Sequence, residues 1–149
     1  MTIHFICRGN VLRSLIAETY LNSLQLNNIT VTSSGTVTDQ FKDSDKPFFA
    51  STLQLLKHHG IESFAKAEPQ QLTQQRVDNQ DLTICMNQIV VDEAVKIVTL
   101  PGNTRNWNIC DIGEGTRIIQ DGDRHNYEEE IYQEITNKVD QLVSEFNLN

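Results

Sequence analysis

Thr2-Ile-His-Phe-Ile-Cys7-Arg-Gly-Asn10-Val-Leu-Arg13-Ser14 decides how this chain of 149 residues is read. From Thr2 to Cys7 the residues Ile3, Phe5 and Cys7 alternate with Thr2, His4 and Ile6, which reads as a short strand. Arg8-Gly9-Asn10 breaks that period. From Ser14 onward a second one begins, with Ile16, Ala17, Tyr20, Leu21 and Leu24 on one face of a helix. Asn27-Asn28 closes that helix, and Ile29 to Ser33 is a second, β-branched strand. Strand, tight turn, helix and strand in this order form a βαβ unit.

Outward from this unit the alternation continues. Gly35 to Asp45 is polar loop, and Pro47 suits the first turn of a second helix, where its missing N–H costs nothing. Phe49, Leu53, Leu56 and Lys57 continue that helix's face, and Gly60 after His58-His59 stops it. A third strand is expected over Asp81 to Met86, centred on Leu82 to Cys85. A short helix follows over Val90 to Val95, then a fourth strand over Lys96 to Leu100, ended by Pro101. Tyr127, Ile131, Ile135, Val139, Leu142, Val143 and Phe146 make a long amphipathic helix. The expected fold is α/β, a four-stranded parallel sheet with helices on both faces, with residues 1–149 as one domain.

Composition narrows the function. Hydrophobic residues at 38% and charged residues at 21% describe an ordinary globular chain. Twelve Lys and Arg against twenty Asp and Glu leave a net charge of −8, a field that repels nucleic acid and anionic membranes. Any phosphate must therefore be held by a local site. No segment reaches the ~20 apolar residues of a membrane span, and the first residues lack a signal-peptide layout. Three cysteines without close spacing fit a reducing cytosol, so a cytoplasmic location is expected. His4 and His125 stand alone, and His58 and His59 suit a helix end. No His, Cys or carboxylate cluster has metal-ligand spacing, so neither metal nor organic cofactor is expected.

The chemistry converges on Cys7 to Ser14. In an open parallel sheet, ligands bind beyond the carboxyl ends of the strands. There a cysteine ends the strand, Gly9 and Asn10 let the chain curl, and Arg13 follows six positions after Cys7. The helix starting at Ser14 aims its positive end at the same point. This is an anion nest with a thiol at its floor, and its charges favour the thiolate. A planar guanidinium beside a nest suits a tetrahedral oxyanion, with Cys7 placed to attack phosphorus in line. The plainer alternative is a buried strand-end cysteine and a surface arginine.

The loop Cys7-Arg8-Gly9-Asn10-Val11-Leu12-Arg13-Ser14, followed by Ile16-Ala17-Glu18, resembles the phosphate-binding loop of the low-molecular-weight protein tyrosine phosphatases. Ser33-Ser34-Gly35-Thr36, His59-Gly60-Ile61, Gln71-Leu72-Thr73 and Ile84-Cys85-Met86-Asn87 extend the likeness over nearly the whole chain. The resemblance implies a phosphomonoester hydrolase working through a phosphocysteine on Cys7, with Arg13 and the loop from Arg8 to Ser14 holding the phosphate. It further implies that Asn10 fixes the loop, Ser14 donates to the Cys7 sulfur, and Ser33 ties the loop to the next strand. Asp111 matches the family's late general acid, with Glu114, Asp121 and Asp123 as rivals in the same stretch. Expected partners are a phosphorylated protein or a small aryl phosphate, with the chain a monomer or weak dimer.

Departures from the family pattern are specific. Leu12 stands where many members carry a second cysteine, Leu15 where proline is common, and Ile112 where proline usually follows the acid. No aromatic follows Gly35-Thr36, leaving Phe41, Phe48 and Trp107 as candidates to line a substrate cleft. Two alternatives stay open: an arsenate reductase-like enzyme pairing Cys7 with Cys85 or Cys110, and an oxyanion- or phosphoprotein-binding module with little turnover.

Overall fold

The computed structural model describes residues 1–38, 46–118 and 124–149. Four parallel strands, β1 (Thr2–Cys7), β2 (Thr30–Gly35), β3 (Leu82–Cys85) and β4 (Thr104–Asn106), stand in the order β2-β1-β3-β4. The helices are α1 (Arg13–Ser23), α2 (Lys46–His58), a single turn α3 (Gln74–Val77), α4 (Gln88–Ala94) and α5 (Arg124–Glu145). A 3-10 turn covers Glu62–Phe64. The chain leaves β1 toward β2 through α1 and leaves β3 in the opposite direction through α4. Right-handed crossovers then put α1 and α4 on opposite faces, as the sequence pattern implies. α5 packs against α1.

β1 is central, so both its faces are covered and the period-two pattern loses its solvent side. Ile3, Phe5 and Ile6 are fully buried, and so is His4. The imidazole finds its partners on β2, with Nδ1 2.7 Å from Thr32 Oγ1 and Nε2 2.8 Å from Ser34 Oγ. Burial lowers its pKa to about 3, and the Lys66 and Arg76 charges push the same way.

Most element ends follow local chemistry. α1 begins at Arg13, one residue before the expected Ser14, with Leu12 at its N-cap, and it ends at Ser23, short of Asn27-Asn28. Beyond α2, Gly60 takes φ 75°. Its N–H bonds Lys57 O at 2.9 Å and the Ile61 N–H bonds Leu56 O at 2.9 Å, a Schellman stop at the expected glycine. α5 starts at Arg124, before Tyr127, and buries Ile131, Tyr132, Ile135, Val139 and Leu142.

The fourth strand is displaced from its expected place. Residues 96–100 continue to coil after α4, with Ile97 N–H on Ala94 O at 3.0 Å and Val98 N–H on Ala94 O at 2.9 Å. Only Val98 of that stretch is buried, whereas Ile97 is 45% exposed. β4 instead lies beyond the Pro101-Gly102 turn, where Thr104, Arg105 and Asn106 pair with Thr83, Ile84 and Cys85. An edge strand of three polar residues buries little side-chain surface and so carries no apolar alternation to read. Among the described residues, no helix is long and apolar enough to cross a membrane.

Candidate active site

The strand order reverses between β1 and β3, and Cys7 ends β1 at that switch point. The turn from Cys7 into α1 is held from outside by the chain after β2. The Thr36 N–H donates to Cys7 O at 3.0 Å and the Val37 N–H to Arg8 O at 3.0 Å. This approach demands glycine at 35, where a Cβ would lie 2.9 Å from the Asn10 nitrogen and closer still to the Arg8 carbonyl oxygen. With these carbonyls turned outward, the loop curls inward through Asn10 at φ 54°.

The Cys7 sulfur is almost fully buried and meets two donors. The Asn10 N–H reaches it at 3.2 Å, and Ser14 Oγ lies 2.8 Å away. Asn10 Nδ2 donates to Ser14 Oγ at 2.7 Å, and toward a Cys7 thiolate, which has no proton to give, the Ser14 hydroxyl is the donor. The same Nδ2 donates to Ser33 Oγ at 2.8 Å, and Ser33 passes its own hydrogen to Glu18 Oε2. Asn10 Oδ1 accepts from Lys66 Nζ at 3.1 Å and from the Gln70 N–H at 3.0 Å. Lys66 also bonds Ser33 O at 2.7 Å and pairs with Glu18 at 3.0 Å. Burial lowers the Lys66 pKa, and the Glu18 carboxylate opposes that shift. The loop amide is thus gripped on every polar atom, as a buried amide requires.

Arg13 opens α1 with its side chain 1% exposed. Its Nη1 donates to Ile109 O at 3.0 Å and its Nη2 to Asp111 Oδ2 at 3.2 Å. Nε, though buried, has no hydrogen-bond partner among the described residues. Arg8, by contrast, is exposed. Its Nε meets Glu93 Oε1 at 2.6 Å, while Glu93 Oε2 accepts from Thr36 Oγ1 at 2.8 Å, joining the loop to α4 and to the end of β2. Thr52 of α2 donates to Val11 O.

Asp111 reaches the site because the chain after β4 runs on beside β3. The Trp107 N–H bonds Cys85 O at 3.0 Å and the Ile109 N–H bonds Met86 O at 2.7 Å, which lays residues 109–111 across the carboxyl end of the sheet. Asp111 Oδ1 accepts from the Ile112 N–H at 2.8 Å. Glu114 Oε2 accepts from the Asp111 N–H at 3.1 Å and from Asn87 Nδ2 at 2.8 Å. Arg117, 3% exposed, donates to Cys110 O at 2.9 Å and pairs with Glu130 and Glu134 of α5 at 3.1 and 2.8 Å.

The structure therefore brings Cys7, Asn10, Arg13, Ser14, Ser33 and Asp111 together. Other candidates fall elsewhere. Trp107 is a core residue 5.3 Å from Phe5, ring centre to ring centre. Phe48 lies under the Arg124 guanidinium at 4.4 Å. Phe41, Asp121 and Asp123 lie outside the described residues. Cys85 is fully buried and its thiol pKa is pushed up to about 12 by burial, while Cys110 is half-buried. Lys66, Gln70, Glu93 and Arg117 form a supporting shell that the sequence reading did not contain, and Glu18 and Asn87, present in its motifs without a role, join them. No local motif marks Lys66, Gln70 or Glu93, because each acts across more than fifty positions of chain.

Fold and loop are those of a cysteine-dependent phosphatase. The chain belongs to the low molecular weight phosphotyrosine protein phosphatase family, whose model matches residues 2–149. Among solved structures, Wzb of Vibrio vulnificus in complex with benzylphosphonate is 21% identical, with a TM-score of 0.74 over 97% of each chain. A low molecular weight phosphotyrosine phosphatase of Vibrio cholerae O395 is 21% identical, with a TM-score of 0.69 over 99% of this chain and 97% of that one. A thioredoxin-dependent arsenate reductase of Corynebacterium glutamicum is 22% identical, with a TM-score of 0.67 over 98% of this chain and 61% of that one. These structures share the fold. Comparison with curated proteins gave no match.

Proposed function

We propose that this chain hydrolyses phosphotyrosine in proteins through a phosphocysteine on Cys7. The observation that carries the reading is the sulfur's pair of donors, Ser14 Oγ at 2.8 Å and the Asn10 N–H at 3.2 Å, inside a curled loop at a helix start. The thiolate attacks phosphorus as the bond to the phenolic oxygen breaks, and Asp111 delivers its proton to that leaving oxygen. Asp111, now a carboxylate, takes a proton from water as the water attacks the phosphocysteine. The Cys7 thiolate leaves and phosphate is released. Arg13 and the N–H groups of residues 8–13 hold the equatorial oxygens throughout, so the gain is mainly electrostatic positioning. On arrival of the phosphoryl group the Arg13 donors turn from the 109–111 segment toward its oxygens.

Three free thiols agree with a reducing, cytoplasmic setting. The charge of −8 favours basic phosphopeptides, and added salt weakens that preference. Hydrolysis of an aryl phosphate at mildly acidic pH with chelator present tests the reading. Wild type turns over, while Cys7→Ser and Asp111→Asn collapse. A protein that binds phosphate without turnover sinks the enzyme reading in favour of a binding module. The arsenate-reducing alternative would need Cys110, because Cys85 is buried as a protonated thiol. A Cys7–Cys110 disulfide in peptide maps after exposure to arsenate and thiol would support it.

A further inference from the structure

We infer that Glu114, held by Asn87, is the positioning residue that sets the Asp111 backbone for proton transfer. The inference rests on the reading of Asp111 as the general acid. A general acid must lie within hydrogen-bond reach of its oxygen, and an error near 1 Å costs on the order of 10²-fold in rate. The stretch that carries Asp111 does not supply such definition by its own stiffness. Gly113 at φ 89° and Gly115 at φ 53° flank Glu114, and glycine is the most permissive residue.

Glu114 N–H turns the stretch on Asp111 O at 3.2 Å and Arg117 holds Cys110 O at 2.9 Å, but what ties it to the sheet is one carboxylate oxygen. Glu114 Oε2 accepts the Asp111 N–H at 3.1 Å and Asn87 Nδ2 at 2.8 Å. Asn87 is an anchored partner. It is 7% exposed, and its Oδ1 caps α4 by accepting the Val90 N–H at 3.1 Å. It also follows Met86, whose carbonyl accepts the Ile109 N–H at 2.7 Å. The acid's backbone is therefore stapled to the rigid junction of β3 and α4. The staple's own backbone is closed by Arg117 N–H on Glu114 O at 2.9 Å and Gly113 N–H on Arg117 O at 2.7 Å. Arg117 clamps the far side to α5 through Glu130 and Glu134. With the backbone set, the Ile112 N–H at 2.8 Å fixes the direction of the Asp111 carboxylate. As an acceptor of two N–H donors, Glu114 acts through Asp111.

The test compares kcat/KM for phenyl phosphate, a poor leaving group, with that for 4-nitrophenyl phosphate, a good one. The inhibition constant of inorganic phosphate reports the folded loop. Glu114→Ala is expected to lose about tenfold on phenyl phosphate and distinctly less on 4-nitrophenyl phosphate, with phosphate inhibition unchanged. Asn87→Asp keeps the cap oxygen but replaces the donor with a carboxylate, and reproduces the same pattern. Glu114→Gln retains an acceptor oxygen and most of the activity. Added to Asp111→Asn, Glu114→Ala costs nothing further.

A loss equal for both leaving groups overturns the inference. So does a loss that multiplies with that of Asp111→Asn, or one accompanied by lost phosphate inhibition. If Asp111→Asn collapses while Glu114→Ala matches wild type, the staple alone falls. If Asp111→Asn itself matches wild type on phenyl phosphate, the general-acid reading falls and takes the staple with it.

Discussion

Arg13 Nη2 rests 3.2 Å from Asp111 Oδ2, joining residues 98 positions apart. One residue opens the helix that follows the cysteine loop; the other lies on the segment that returns along β3. Arg13 Nη1 bonds Ile109 O at 3.0 Å, so a single buried guanidinium spans the phosphate-holding and proton-carrying halves of the proposed site. Arg13→Lys keeps the charge but loses the planar fork that addresses both partners. The expected result is a fall in kcat/KM on the order of 10²-fold, together with weaker inhibition by inorganic phosphate. A lysine variant within threefold of wild type would show that charge alone suffices.

Toward a Cys7 thiolate, which has no proton of its own, Ser14 gives its hydroxyl hydrogen, while Asn10 Nδ2 donates to the serine oxygen. Removing that donor leaves the thiolate with the Asn10 N–H as its remaining donor among these contacts. Ser14→Ala should therefore slow phosphoryl transfer by about tenfold, the worth of one charge-assisted hydrogen bond at ~1.5 kcal/mol or more. Steady-state rates of wild type and Ser14→Ala on 4-nitrophenyl phosphate measure the loss. A variant within twofold of wild type would remove Ser14 from the sulfur's support.

The buried imidazole of His4 gives stability a pH dependence unrelated to catalysis. Its folded pKa, lowered to about 3, lies below the ordinary histidine value of 6.5. Below pH 6.5 the unfolded chain binds a proton that the folded chain refuses, so stability falls as pH falls. The slope from this group approaches ~1.4 kcal/mol per pH unit and levels off near the folded pKa. Above pH 6.5 the group is neutral in both states and contributes no slope. Urea unfolding of wild type and His4→Gln at pH 7.5 and 5 measures it. The variant is expected to lose less stability than wild type over that interval, and equal losses would contradict the assignment.

The loop was readable in the sequence because its chemistry is contiguous. Cysteine, curl, arginine and helix start all fall within Cys7 to Ser14, and each leaves a local mark. Long apolar patterns likewise located α1, α2 and α5. β4 was not readable, because Thr104-Arg105-Asn106 is held at the sheet edge by backbone pairing while the β-branched Ile97-Val98-Thr99 coils. The support of Asn10 was hidden for another reason. Lys66 and the Gln70 N–H arrive from 56 and 60 positions away, and only the folded chain places them on one amide oxygen. Glu114 is the instructive intermediate case. Its proximity to Asp111 in sequence made it a rival acid, but Asn87 and the Asp111 N–H converging on one of its oxygens make it a support.

Gly35 is where the fold and the proposed site press hardest on each other. The end of β2 runs so close to the loop that an added Cβ would meet Thr38 Cγ2 at 2.7 Å and the Asn10 nitrogen at 2.9 Å. The methyl end of Thr38 has room to adjust, but the Asn10 nitrogen is backbone and donates to the Cys7 sulfur. Gly35 N–H also bonds Gln70 O at 2.9 Å, and Gly35 O accepts the Leu72 N–H at 2.8 Å, so the strand cannot simply withdraw. Gly35→Ala should therefore displace the loop and weaken phosphate inhibition by tenfold or more, with a stability cost of about 1–3 kcal/mol from overpacking. Phosphate inhibition and urea unfolding of the same preparation separate the two effects. A variant with lower stability and unaltered phosphate inhibition would mean that the loop keeps its shape and the strand yields.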